Sequence, residues 1–352
     1  MIKKGIHLGS LTFFLLLAID VLSLTQNEGQ SQREAAVQLR AELVLVPVQV
    51  LNKKTGLPVG GLVKEDFVLF EDGVPQSITF FGHEDILLSL LLLMEVPWFA
   101  DDSHRDEIFQ GVRAVLNRLR PEDEVALMSF NGKPRIIQEF TRDKNLVLTG
   151  LERLFFAPHL HNVEEGQISF LYTSIFEAAR YMLEVTERGR RRVIVVFTFN
   201  VGEGVAPPPF GGKDRERRRM EREELERRLL ERLYKSDIVI SSVIVGNPRL
   251  RFLYKLIVSN EATVDKLVKI TGGAIIRAKP GKPVNVDQLV RLIDHLRAQY
   301  VLGYIPAAET RAGEFRKLKI ELSPSAKKKY KGVQLRHRHG YMAAGGEEGG
   351  AN

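Results

Sequence analysis

An apolar run at residues 86–94, ILLSLLLLM, constrains the fold of this 352-residue chain more than any other feature. The run is too short to cross a bilayer as a helix, which takes roughly 20 residues. Pro97 follows it closely, at a point where a helix would have to continue. A strand that is buried on both faces gives such a continuous apolar run. The run therefore predicts a central strand of a parallel sheet that helices cover on both sides.

Helical and strand patterns alternate after this run. Apolar stripes at helical spacing occur in 105–120, 175–183 and VDQLVRLIDHLRAQ, and the strand-like runs include EVALMSF, RVIVVFTF and DIVISSVIVG. This alternation predicts an α/β fold with a doubly wound, mostly parallel sheet of the Rossmann type over residues 84–302.

The two ends of the chain contain shorter strand patterns. Residues 40–83 predict a small β unit, in which FVLFEDGVPQSITFF forms two strands joined through Asp72-Gly73. Residues 303–342 predict further strands, FRKLKIELS and GVQLRHRHG, followed by a disordered tail at 343–352. Because short edge strands need partners, we expect the two end segments to form one β module that flanks the α/β domain.

The first 24 residues predict a secretory signal peptide. Lys3 and Lys4 precede an apolar stretch at 11–24, and a polar, Gln-rich linker follows at 25–39. We expect a periplasmic or secreted protein, or one that an uncleaved N-terminal segment anchors. The chain has no cysteine, so its stability depends on core burial and not on disulfides.

Several segments of the sequence resemble segments of one protein family. LPVGGLVKEDFVLFEDGVPQSI, LYTSIFEAARYML and LRAQYVLGYIP are similar to segments of von Willebrand factor A-related proteins of the acidobacterial type, and the resemblance covers residues 41–342. It implies a von Willebrand A-like domain with a ligand site at the carboxyl ends of the parallel strands.

In the cation-binding relatives, an Asp and two Ser on the first loop, a Thr on the second and an Asp on the third hold the metal. The resemblance places Glu95 at the first Asp position, and Pro97 and Phe99 at the two Ser positions. It places Ser169 at the Thr position and Phe199 at the last Asp position. A hard cation such as Mg²⁺ needs oxygen ligands, so the carried-over pattern predicts a degenerate metal motif with no bound metal and no cofactor.

Two further carboxylates leave an alternative open. Asp101 and Asp102 follow the lost motif and, together with Glu95 and Ser169, are the candidate ligands of a rebuilt Mg²⁺ site. The favoured explanation is that they are solvated loop acids at the start of the next helix, where negative charge is favourable.

Large aromatic residues stand at the same predicted edge. Trp98 and Phe99, with Phe199 and Asn200 on the third loop, are the predicted partner-binding residues, because Trp is enriched among the residues that dominate binding interfaces. The alternative is that Trp98 folds back over the core and seals it.

Charge is concentrated in two segments. Residues 212–235 predict a charged helix whose apolar stripe, Leu225, Leu229 and Leu233, can dock on the parent domain or on a partner helix. Residues 313–340 contain nine Lys or Arg and two Glu against a net charge of +7 for the chain. Within them, Lys327, Lys328, Lys329 and Lys331 form a basic turn that could meet an anionic envelope surface or only be solvated. Acidic residues balance the arginines of the helix, so no nucleic acid is expected.

The sequence contains no catalytic motif that we recognise. We therefore expect a non-catalytic recognition module that binds a protein or a cell-envelope partner. The alternatives are a cation-dependent adhesion module with a rebuilt metal site, and an enzyme that uses the same cleft.

Overall fold

The computed structural model describes residues 43–84, 86–95, 102–130, 134–156, 171–187, 189–198, 212–244, 263–278, 285–297, 299–306, 311 and 313–343. The chain divides between Val44 and Leu45, and almost all described residues belong to the second unit, Leu45–Asn352. The predicted signal peptide, the linker and residues 344–352 lie outside the described ranges. Within those ranges, no helix has the length and apolar character needed to span a membrane.

Strands and helices follow each other along the second unit. The strands are β1 (Val44–Asn52), β2 (Phe67–Glu71), β3 (Val74–Gln76), β4 (Ile78–Glu84), β5 (Leu88–Glu95), β6 (Glu124–Phe130), β7 (Arg135–Thr141), β8 (Arg191–Thr198), β9 (Val239–Ile244), β10 (Ile275–Arg277), β11 (Gln299–Tyr304), β12 (Phe315–Leu322), β13 (Val333–His337) and β14 (Gly340–Met342). The helices are α1 (Asp102–Arg118), α2 (Lys144–Phe156), α3 (Leu171–Val185), α4 (Gly212–Lys235), α5 (Thr263–Thr271), α6 (Val286–Arg297) and α7 (Pro324–Lys329).

A six-stranded sheet forms the centre of the α/β layer, in the order β10-β9-β8-β5-β6-β7. All neighbouring pairs are parallel except β6 and β7, which are antiparallel at one edge. The chain runs outward from β5 to β6 and β7, then returns to build β8, β9 and β10 on the other side. The predicted α/β fold with a mostly parallel sheet is confirmed.

The predicted burial of β5 on both faces of the sheet is confirmed. Alternate residues of β5 enter two separate clusters, with Leu90 and Leu92 in one and Leu91 and Leu93 in the other, and each is at most 1% exposed. Helices α1, α2 and α6 cover the first face, and α3, α4 and α5 cover the second. A strand between two helical layers has no solvent-facing side, so its sequence has no polar alternation.

Helix α4 docks on its own domain through the predicted stripe. Leu229 and Leu233 are 0% and 3% exposed and belong to the second cluster. The opposite face of the helix carries exposed ion pairs, such as Arg227 with Glu224 at 2.7 Å. Such pairs stabilise an exposed helix only modestly, so burial of the stripe fixes its position.

The two ends of the chain pair with each other in two further sheets of four strands. One has the order β13-β1-β11-β4 and the other β14-β12-β2-β3. The antiparallel pairs β1–β13 and β2–β12 join N-terminal to C-terminal strands directly. The predicted β module from both ends of the chain is therefore confirmed, and it also includes β11, which follows the last helix of the α/β layer.

Two local expectations for this module are wrong. FVLFEDGVPQSITFF forms three strands: β2 and β3 pair across Asp72-Gly73, and β4 crosses to the other sheet, where it pairs with β11. The lysine-rich segment after β12 is a short helix, α7, and not a turn between paired strands. Ser323 caps this helix by accepting a hydrogen bond from the Ala326 amide at 3.3 Å, and Pro324 occupies its first turn.

Side chains from both β sheets meet in the core of the module. Phe67 of β2 lies 5.4 Å from Tyr300 of β11 and 5.9 Å from Phe81 of β4, measured between ring centroids. Beside them, the Glu71 carboxylate is 1% exposed and accepts hydrogen bonds from the Tyr304 and Tyr341 hydroxyls at 2.6 and 2.7 Å. A buried carboxylate requires such partners, so this network links strands from both ends of the chain.

Candidate functional site

The carboxyl edge of the central sheet brings together two oxygen-bearing side chains. Strands β5 and β8 are parallel neighbours, so Glu95 and Thr198 end them side by side. The Thr198 hydroxyl donates a hydrogen bond to Glu95 Oε2 at 2.6 Å. Thr198 is fully buried and Glu95 is half-buried.

Glu95 stands at the first predicted metal-ligand position, and Thr198 lies beside it. A bound Mg²⁺ keeps near-octahedral coordination by oxygen, and Glu95 is the candidate ligand whose side chain the structure describes. One of its oxygens already accepts the Thr198 hydroxyl. Within the described ranges, no group of three or more His, Asp or Glu side chains is arranged to hold a metal ion.

Most other residues predicted for this edge lie outside the described residues, namely Trp98, Phe99, Asp101, Ser169, Phe199 and Asn200. Asp102 is the first residue of α1, although its side chain is not described. Its position at a helix start agrees with the interpretation of this residue as a helix-terminal acid.

The predicted basic surface lies on α7 and just after it. Lys327, Lys328, Lys329 and Lys331 are all exposed. Lys327 donates to Glu321 Oε2 at 2.8 Å, and Lys319 reaches the other oxygen of Glu321 at 2.6 Å. These hydrogen bonds lower the pKa of Glu321 to about 2, and the one from Lys319 has the largest effect.

The Glu321 carboxylate therefore partly neutralises one of the four lysines, Lys327. Lys329 contacts the Tyr330 ring, with its Nζ 4.8 Å from the ring centroid. An exposed patch with three less compensated ammonium groups can still attract an anionic surface at low salt.

A cavity of about 440 Å³ lies at the opposite, amino edge of the sheet. Its walls come from the start of β8 and β9, from the end of α4, and from β1, β11 and the segment around β13. It thus lies between the α/β layer and the β module. Apolar side chains form much of the wall, among them Leu45, Pro47, Ile86, Leu233, Val239 and Val301.

The charged part of this wall is almost entirely basic. Arg190, Arg191, Arg336 and Arg338 line the cavity together with one carboxylate, Asp237. Asp237 is already paired with Arg192 at 2.9 Å, outside the wall. The wall therefore carries more positive than negative charge.

His337, which also lines the cavity, is held in its neutral form. Its Nε2 accepts a hydrogen bond from the Ile320 amide at 3.3 Å, so the proton is on Nδ1, which donates to the Arg338 carbonyl at 2.7 Å. Burial lowers the pKa of His337, which agrees with this arrangement. Both ring nitrogens are occupied, so His337 fixes the backbone beside the two arginines.

Sequence reasoning missed this cavity because it considered only the carboxyl edge. The signal in the sequence is the run Arg190-Arg191-Arg192 directly ahead of an apolar strand, with a second alternation of arginines in RHRHG. Each segment alone is explained as a solvated strand end. Tertiary contacts bring them to one wall: β13 pairs with β1, and Arg338 donates to the Tyr234 carbonyl at the end of α4.

The sequence matches no protein-family model, and no curated protein matches it either. Several solved structures are similar. A conserved hypothetical protein, BatB from Bacteroides thetaiotaomicron, is 14% identical with a TM-score of 0.40, and the match covers 59% of this chain and 98% of that one. The SpRpn10 VWA domain is 16% identical with a TM-score of 0.35, covering 58% and 94%.

A third similar structure is the manganese-loaded TRAP protein of Plasmodium vivax, 10% identical with a TM-score of 0.38, covering 78% of this chain and 98% of that one. The six-stranded, mostly parallel sheet agrees with the fold that the sequence resemblance implies. At these identities and TM-scores the similar structures add nothing about this chain's function. The degenerate metal motif of the von Willebrand A-like domain stays a prediction.

Proposed function

We propose that the chain is an exported, non-catalytic recognition module that binds a protein or cell-envelope partner through the carboxyl edge of its von Willebrand A-like domain, without a bound metal. The observation that carries this proposal is the Glu95 carboxylate, which accepts the Thr198 hydroxyl at 2.6 Å. The sequence places Pro97 and Phe99 where a cation site would need hydroxyls. The sequence therefore has apolar residues directly after one engaged carboxylate.

The aromatic neighbours of Glu95 support an apolar contact. Ligands of open α/β sheets collect at the carboxyl ends of the strands, and Trp98 follows β5 by three residues. A large aromatic side chain that becomes buried in a partner contributes more to binding than most residue types do. Partner recognition through Trp98 needs neither a metal nor a catalytic group.

A fluorescence experiment tests the absence of a metal. Trp98 is the sole tryptophan of the chain, so under this proposal its emission reports on the carboxyl edge. Addition of Mg²⁺, Mn²⁺ or Ca²⁺ to chelator-treated protein should change neither the emission nor the melting temperature, because only a ligand that binds the folded state stabilises it.

The opposite result would favour the cation-dependent adhesion module. In that case the melting temperature would rise with millimolar cation, and Glu95→Gln would remove the rise. The control is Glu152→Gln, an exposed glutamate of α2, which should leave either result unchanged.

A second experiment tests the binding surface. A partner captured from an envelope extract should change the Trp98 emission and should bind Trp98→Ala at least about tenfold more weakly, as expected for loss of a buried aromatic anchor. Leu146→Ala removes a side chain that is 47% exposed on α2 and should bind normally. Equal binding by Trp98→Ala with an unchanged melting temperature would contradict the proposed surface.

A further inference from the structure

The cavity at the amino edge of the sheet contains two arginines, Arg336 and Arg338, that form no direct ion pair with a carboxylate among the described residues. Arg338 donates from Nε to the Gly340 carbonyl at 2.9 Å and from Nη2 to the Tyr234 carbonyl at 3.1 Å. Both acceptors are neutral. Within the described ranges, neither Arg338 nor Arg336 has a carboxylate at ion-pair distance.

The environment of these arginines makes their charge costly. Burial lowers the pKa of both guanidinium groups. The Asp237 carboxylate partly opposes this effect at Arg338, whereas no neighbouring charge opposes it at Arg336. Both side chains are half-buried, and a partly desolvated cation without a counter-ion is unfavourable unless an anion or several hydrogen bonds compensate it. An anion in the cavity would supply that compensation.

A buried amide gives a second, independent indication. Gln49 of β1 lines the same cavity and is 2% exposed, and its Oε1 has no hydrogen-bond partner among the described residues. Buried polar atoms without a partner are rare in folded proteins. The oxygen is an acceptor, and a rotation of the side chain toward the cavity would let it accept from a hydroxyl group on a bound molecule.

The volume and the apolar walls define the rest of the ligand. About 440 Å³ lies within the range of small-molecule sites, which are mostly apolar with a few polar groups that fix orientation. Leu45, Ile86, Leu233 and Val301 offer contacts to an alkyl chain or ring. Inorganic phosphate or a sugar would make no apolar contacts with these walls.

We propose that this cavity binds a small amphipathic organic anion, with its carboxylate or phosphate group at Arg336 and Arg338, a hydroxyl group at Gln49 and an apolar body against the aliphatic wall. The site lies at the opposite edge of the sheet from Glu95. It therefore does not rest on the proposed partner surface.

Calorimetric titration of the full chain with three probes tests the proposal: 3-hydroxydecanoate, decyl phosphate and 1,3-decanediol. We expect at least one anion to bind about tenfold or more tightly than the neutral diol, since a charge-assisted hydrogen bond contributes more than a neutral one. The tighter of the two anions identifies the head group. Binding of the diol as tightly as both anions, or no binding of any probe at millimolar concentration, would overturn the proposal.

Substitutions separate a ligand role of the arginines from a purely structural one. Arg336→Gln should weaken the anion about tenfold without changing the affinity for the diol. The matched control is Arg113→Gln, an exposed arginine on α1. If Arg336→Gln lowers the melting temperature but leaves the anion affinity unchanged, the arginine only joins the two layers and the proposal is wrong.

Arg338 serves as a further check because its backbone hydrogen bonds also support the fold. Arg338→Lys keeps the charge and should retain part of the anion affinity, whereas Arg338→Gln should lose it. Equal affinity of the two variants for the anion would contradict the placement of the head group at this residue.

Discussion

The Glu71 carboxylate is buried and shared by two tyrosines. Replacing both tyrosines should therefore cost more unfolding free energy than the two single replacements add up to. Oε1 of the carboxylate accepts from the Tyr304 hydroxyl at 2.6 Å and the Tyr341 hydroxyl at 2.7 Å, and Oε2 accepts from Arg316 Nη2 at 2.9 Å. Burial raises the pKa of Tyr304, and it raises that of Tyr341 to about 12, so both hydroxyls remain donors at neutral pH.

The geometry sets the magnitudes. Tyr304→Phe removes one donor from Oε1 but leaves the other, so we expect a loss of about 1–2 kcal/mol in the free energy of unfolding. Tyr341→Phe should cost a similar amount. In the double variant Oε1 keeps neither hydroxyl, and a buried charged oxygen without these donors costs a further ~1–3 kcal/mol. The double loss should therefore exceed the sum of the single losses by about 1 kcal/mol or more.

Urea unfolding of the wild type, both single variants and the double variant, followed by circular dichroism, gives this coupling energy. Tyr330→Phe is the control, because its hydroxyl donates to the Gly61 carbonyl at 2.8 Å at an exposed site and should matter little. Additive losses within about 0.5 kcal/mol, or a single variant as stable as the wild type, would refute the shared-oxygen explanation.

Three further predictions concern other parts of the chain. Gly273→Ala should cost about 1–3 kcal/mol of unfolding free energy, because its Cβ would lie 1.9 Å from the Ile240 carbonyl oxygen, whereas Gly60→Ala has no atom within 4 Å and should be nearly neutral in the same urea assay. Equal losses would contradict this explanation. The lowered pKa of His337 means that the unfolded chain binds the proton first, so its contribution is complete above its ordinary pKa of 6.5 and is lost as the pH falls toward the folded value. Thermal melts at about pH 7 and pH 5 should show a smaller acid destabilisation for His337→Gln than for the wild type, and an equal one would argue against a neutral buried imidazole. Replacement of the lysines at 327–329 by Gln should abolish salt-sensitive binding to vesicles that contain phosphatidylglycerol, and retained binding would leave this surface only solvated.

The central sheet was predictable because its signal is local. The run at 86–94 has no polar alternation, and this reports burial on both faces before any contact is known. The stripe of α4 likewise predicts that Leu229 and Leu233 are buried. The candidate site was less predictable, because the hydrogen-bond partner of Glu95, Thr198, comes from a strand about a hundred positions later.

Errors arose where neighbours in sequence are separated in space. β2 and β4 lie close together along the chain, yet they enter different sheets, since the module needs a strand from each end on both layers. The lysine-rich segment coils into α7 because Ser323 and Pro324 favour a helix start, a local signal that its flanking strands concealed.

The sequence by itself determined the α/β core, the two-sided burial of β5 and the presence of strands at both ends, since each depends on the spacing of apolar side chains along one segment. Only the tertiary structure decided which strands pair, that Glu71 bonds to hydroxyls from β11 and β14, and that Arg336 and Arg338 share a cavity with the start of β8. These contacts join positions far apart in the chain, and no local pattern specifies the distance between them.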